Sequence, residues 1–147
     1  MNRAILVALG TGTVITSAAA IGIGAAFAPP TQGLTQPQYE AALRTIGEWR
    51  EALVARCESL GGFERELCRT EAAADEMVRV ADVESGYRGT QQAARAAQRA
   101  RIEARYQVER TRCDAVKGFK RDKCLISAHA ARGRALLEAA APYEARL

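Results

Sequence analysis

A chain of 147 residues is long enough for one domain, and its make-up (48% hydrophobic but only 5% aromatic, with alanine supplying much of the apolar share) excludes a deep core of large side chains. Alanine with Glu, Gln, Arg and Leu favours helix throughout, and helices of that kind pack closely around little side-chain volume. The formal charge of +4 hides an asymmetry: residues 36–90 carry a net −4 and residues 91–147 a net +7. Such halves can face each other, within one molecule or between two, and the basic one can meet an anionic partner such as a membrane surface. Arginine outnumbers lysine eighteen to three, which together with the alanine content suggests a GC-rich bacterial source.

Residues 1–28 predict an export signal or an N-terminal membrane anchor. Arg3 precedes an uncharged run from Ala4 to Ala28, the layout of a short basic region followed by an apolar one. Small residues suited to cleavage stand at Ser17–Ala20, Gly24–Ala26 and Ala26–Ala28. Uncut, the run is long enough to span a bilayer as a helix, although glycine, threonine and serine dilute it. Either fate carries the rest of the chain across a membrane. No cysteine precedes Cys57, so a lipoprotein-type lipid anchor is not expected. Pro29, Pro30, Gly33 and Pro37 predict an extended linker over 29–37.

Two stretches 56 residues apart then spell nearly the same words. Arg56 to Cys68 reads RCESLGGFERELC, and Arg112 to Cys124 reads RCDAVKGFKRDKC. Cys57, Gly62, Phe63 and Cys68 fall on Cys113, Gly118, Phe119 and Cys124, and Tyr87 falls on Tyr143. This is one unit written twice, covering residues 38–90 and 91–147.

Each copy reads as helix, turn, helix. In the first, Tyr39, Leu43, Ile46, Leu53, Cys57 and Leu60 recur at helical intervals with Trp49 beside the seam. Gly61-Gly62 supplies the bend. The returning arm starts near Phe63, with Glu64 and Glu66 placed favourably for the helix dipole. It continues through Leu67, Ala74, Met77, Val78 and Ala81 until Gly86 and Gly89 interrupt it. The first arm of the second copy runs from about Thr90 to Val116, with Ala94, Ala97, Ile102, Tyr106, Val108 and Cys113 inward. It bends at Lys117-Gly118 and returns along Phe119, Leu125, Ile126, Leu136 and Leu137 until Pro142. Asp75/Glu76, Arg99/Glu103 and Arg105/Glu109 predict solvated faces and local ion pairs. The expected fold is therefore all-α: two disulfide-closed αα-hairpins packed as a small four-helix bundle. An alternative makes residues 63–117 one long bent central helix with an arm folded back at each end.

Four cysteines allow three pairings. Cys57–Cys68 and Cys113–Cys124 are favoured, because each pair sits at similar height on the facing arms of an antiparallel hairpin. An unbroken helix through the Gly-Phe segment would put both cysteines of a copy on one face and allow Cys57–Cys124 with Cys68–Cys113; Gly61-Gly62 opposes it. A spacing of eleven fits no short pair of metal ligands, and no metal or other cofactor is expected.

Searching for chemistry yields no catalytic candidate. His129 is the only histidine, its counterpart is Ala73, and Ser127 lies on a different helical face. There is no Gly-rich phosphate loop, CxxC pair or CxxCH haem site. Arg95, Arg99, Arg101 and Arg105 form a basic band, a solvated face or a surface for an anionic partner. Nucleic acid is not expected, since no aromatics interleave the arginines.

Tyr106-x6-Cys113-x10-Cys124, with KGFKRDKC at the turn and alanine-rich arms, resembles a group of small exported helical proteins of beta-proteobacteria. The likeness covers most of 95–140 and, more loosely, 45–85, where Arg50 stands in place of the tyrosine and Arg65-Glu66 in place of the Lys-Asp step. It implies an exported hairpin and brings no active site with it. The expected role is structural or interaction-based in the periplasm or cell envelope. The alternatives are a membrane-tethered periplasmic adaptor and a redox- or metal-responsive thiol protein.

Overall fold

The computed structural model describes residues 33–141, and these are helical except for short connections. The signal or anchor expected over 1–28, together with Pro142 and Tyr143, lies outside the described residues. Four α-helices follow one another: α1 (Gln36–Cys57), α2 (Gly62–Arg88), α3 (Gln91–Arg112) and α4 (Phe119–Ala140), with a 3-10 turn at Cys113–Ala115.

Local chemistry sets the boundaries. Thr35 begins α1, and the Gln38 side chain accepts the Thr35 backbone N–H at 2.9 Å. Pro37, read from sequence as linker, lies in the first turn of α1, where a missing N–H removes no helical hydrogen bond. Gly62 (φ 49°) and Gly118 (φ 59°) make the two cysteine-flanked bends with backbone that other residues rarely adopt. Gly86 does not interrupt α2, which continues to Arg88 and stops at Gly89 in the left-handed conformation. The Thr90 hydroxyl then accepts the Ala93 N–H at 3.1 Å and starts α3. The chain thus reverses at Gly89-Thr90, so the hairpin arrangement is the one found, and no long helix spans 63–117.

All four helices run antiparallel to their sequence neighbours. The substantial packing pairs are α1 with α2, α2 with α3 and α3 with α4. The result is a row, most extensively packed at its centre between α2 and α3, and open between α1 and α4. Both disulfides are the local ones, Cys57–Cys68 and Cys113–Cys124, each with Cα atoms 5.6 Å apart. They join α1 to α2 and the end of α3 to α4 and leave no free cysteine among the described residues. Such bridges belong to a chain that matures in an oxidising, exported compartment. No described helix is long and apolar enough to cross a membrane.

The core is as thin as the composition requires. Buried apolar positions are Ile46, Tyr106, the cysteines Cys57 and Cys113, and six alanines on α2, α3 and α4. The inward face of α3 includes Ala93 rather than Ala94, which is exposed. On α4, Leu125 and Leu136 turn inward, whereas Phe119, Ile126 and Leu137 stand 81%, 70% and 74% exposed. Neighbouring positions on a helix are about 100° apart, so 125/126 and 136/137 cannot both face the same seam. Phe119 shares the outward phase of Ile126 and Leu137.

Gly47 sits inside α1 with open space where a Cβ would project. Gly47→Ala should therefore raise stability by about 0.5–1 kcal/mol through lower unfolded-state entropy and better helix propensity. Urea denaturation checks it, and an unchanged midpoint would contradict the open packing at this position.

Candidate functional site

Each seam of the row is closed by different chemistry. Between α1 and α2, Tyr39 and Tyr87 stack with ring centroids 4.4 Å apart, and the Tyr39 hydroxyl donates to Glu84 at 2.7 Å. Arg88 also pairs with Glu84, and the Tyr87 hydroxyl donates to the Gln36 side-chain oxygen. Trp49, beside this seam, meets α2 through Arg79, whose guanidinium lies 4.3 Å from its ring centre. Arg50 pairs with Glu76 at 2.7 Å, and Arg69 forks onto Glu58.

The Tyr39–Glu84 contact titrates at both ends. The tyrosine hydrogen bond, then Arg88, holds the Glu84 carboxyl below the ordinary glutamate range. The same bond, with Glu84 as acceptor, raises the Tyr39 phenol above its usual value. Glu84 therefore contributes stability that is complete above its unfolded pKa and is lost as pH falls through the lower folded one. Tyr39 contributes stability that is complete below its unfolded pKa and is lost as pH rises through the higher folded one. Tyr39→Phe should flatten both limbs of a melting-temperature-against-pH curve relative to the parent. Parallel curves would mean that the bond does not form in solution.

Between α2 and α3, Arg101 pairs with Asp82 and Arg112 with Glu71 at 2.9 Å, while the Thr111 hydroxyl reaches Thr70 at 3.4 Å. Between α3 and α4, the Tyr106 hydroxyl and His129 Nε2 are hydrogen-bonded at 3.0 Å. Arg132 pairs with Glu103 at 2.6 Å and lies 5.1 Å from the Tyr106 ring centre. His129, a surface residue by its exposure, thus fastens α4 to the one large buried side chain of α3. In the 56-residue frame Tyr106 and Arg132 fall on Arg50 and Glu76, so one cross-hairpin contact is made by a cation–ring pair in one copy and by an ion pair in the other.

The expected local ion pairs are redistributed. Glu103 turns to Arg132 rather than Arg99, Glu109 to Arg112 rather than Arg105, and Glu76 to Arg50. For Glu103 and Glu76 the reason is reach, since partners across a seam compete with those one turn along the helix; Glu109 keeps a partner on its own helix, three residues on.

Beside Tyr106 runs a groove of about 430 Å³ along the α3–α4 seam, lined by Gln98, Ile102, Arg105, Ala131, Arg134 and Ala135 among others. Of the basic band expected on α3, Arg105 lines this groove, and Arg101 lines it too while held by Asp82. Arg95 and Arg99 are exposed. Arg99 and Arg101 lie about 200° apart around the helix, so the four do not form one surface. What the sequence reading missed is on α4, where Lys120, Lys123 and Arg134 have no ion-pair partner among the described residues. Lys120 and Lys123 line a second hollow beside Arg105 and the Cys113–Cys124 bridge.

Chemically, this arrangement can bind and hold. No group of three His, Cys, Asp or Glu among the described residues is placed to hold a metal ion. The carboxylates of Glu84, Glu103, Glu71 and Asp82 are engaged with tyrosine or arginine across a seam. No protein family model, no curated protein and no solved structure matches this chain.

Proposed function

We propose that this chain is a non-enzymatic, exported protein of the bacterial cell envelope whose work is structural or interaction-based, resident in the periplasm. One observation carries the reading: both disulfides close hairpin bends and so stiffen an open row of helices, and the row's last helix leaves large apolar side chains uncovered. A bridge of that kind holds a surface in shape, and an uncovered apolar stripe on a soluble face is a surface to be met. The uncharged run Ala4–Ala28 supports export, and the 56-residue repetition supports two copies of one hairpin in one molecule.

Non-reducing peptide mapping of protein recovered from the periplasm of an expressing bacterium tests this reading. The expected result is the peptide pair joined through Cys57–Cys68 and the pair joined through Cys113–Cys124, from chains that begin near residues 21–29. Free thiols in protein retained in the cytoplasm would overturn it. The same uncharged run favours one second reading, a membrane-tethered adaptor. An intact mass that still includes residues 1–28 would assign the chain to that role.

A further inference from the structure

The outer edge of α4 combines the most exposed large apolar side chains of the described residues with unpaired cations beside them. Phe119, Ile126 and Leu137 are 81%, 70% and 74% exposed. Their separations of seven, eleven and eighteen residues are close to whole helical turns, so they share one line along the side of α4 facing away from α3, over roughly 27 Å. Lys120, Lys123 and Arg134 lie on one flank of that line, within about 100° of it, and none has an ion-pair partner among the described residues.

From this juxtaposition we propose that the outer face of α4 docks on an anionic lipid bilayer surface, with Phe119, Ile126 and Leu137 entering the headgroup boundary and Lys120, Lys123 and Arg134 meeting the lipid phosphates. The proposal rests on the envelope reading above and names its partner. Three arguments favour lipid over a protein. The apolar side chains are spaced well apart, with small Ala130 and Gly133 between them, so they form separate prongs rather than the contiguous patch a protein interface needs. A bilayer accepts such prongs singly, and an apolar line beside lysine and arginine is the pattern of a helix lying in the membrane interface. The charge asymmetry sets the orientation: residues 36–90, which form α1 and α2, carry a net −4, whereas α3 (Gln91–Arg112) carries a net +4 and α4 (Phe119–Ala140) a net +3. An anionic surface therefore attracts the α3–α4 half of the row and repels the α1–α2 half.

The test places a reporter on the stripe of the full chain. In W49F/I126W the only tryptophan stands on the outer face of α4. Brominated phosphatidylglycerol vesicles should quench it and shift its emission to the blue, while brominated phosphatidylcholine vesicles leave it unchanged. An N-terminal segment lodged in either bilayer does not by itself bring position 126 to the lipid. Each cation near an anionic surface contributes about a fivefold factor in partitioning, so K120Q/K123Q/R134Q should weaken the quenching equilibrium roughly a hundredfold at low salt. Raising the salt should weaken the parent in the same direction. F119S/L137S, which keeps every charge, should also lose most of the quenching. Equal quenching by both lipids, or indifference to the charge variant, overturns the proposal. A blue shift that grows with protein concentration in the absence of vesicles assigns the stripe to a second copy and overturns it as well. These measurements use purified chain and vesicles, so they can fail while export and disulfide pairing stand.

Discussion

Replacing all four cysteines by serine is expected to leave the chain largely unfolded at 37 °C. Each bridge closes a loop of cysteines eleven residues apart, and the chain-entropy model assigns such a loop about 3 kcal/mol. Two of them together, about 6 kcal/mol, match the lower end of the roughly 5–15 kcal/mol by which domains of this size are stable. Little else compensates, because the buried side chains of the described residues are mostly alanine. C57S/C68S and C113S/C124S should each lower the melting temperature by roughly 15 °C, with a loss of helical circular dichroism in the combined variant. A four-serine chain melting where the parent melts would show that the alanine seams alone hold the row.

Tyr106 carries the second large effect. It is the bulkiest side chain in the core, and it joins α3 to α4 through its ring, packed beside Arg132, and its hydroxyl, bonded to His129. Tyr106→Ala should cost about 3–4 kcal/mol, the range for truncating a buried aromatic. Tyr106→Phe keeps the ring and removes only the hydroxyl, which should cost about 1 kcal/mol. Equilibrium denaturation of the two variants separates the contributions. Equal losses would place the whole effect in the hydrogen bond and contradict the packing argument.

The sequence was most informative where covalent and backbone constraints are local. Cys57, Gly62 and Cys68, repeated as Cys113, Gly118 and Cys124, specify a bend and its bridge within a dozen residues, and the structure has both. The class of fold followed from alanine content and helical periodicity. Gly86 was over-read because a glycine inside a long helix lowers its stability by only about 1 kcal/mol, and packing against α1 and α3 offsets that. The returning arm of the second hairpin was also over-read: it supplies five large apolar residues, but a helix with a neighbour on one side has room for only part of them. Ion pairs were the least legible feature, since the partners of Glu103 and Glu76 depend on which helix lies alongside. The basic band on α3 was assembled from sequence proximity alone, and helical phase divides it. The cations on α4 escaped notice because Lys120 and Lys123 are diluted by Asp122 in the sequence; only the helix sets that carboxylate on the other flank of the apolar line.

Packing that reaches only the next helix has a kinetic corollary. Every substantial helix pair here is a pair of sequence neighbours, which keeps contact order low, the condition under which domains fold fastest. Cys57 can find Cys68 as soon as the first bend forms, before Cys113 and Cys124 have been brought together by theirs. Native pairing is then expected in chain order, N-terminal bridge first, with each cysteine's nearest partner along the chain also its native one.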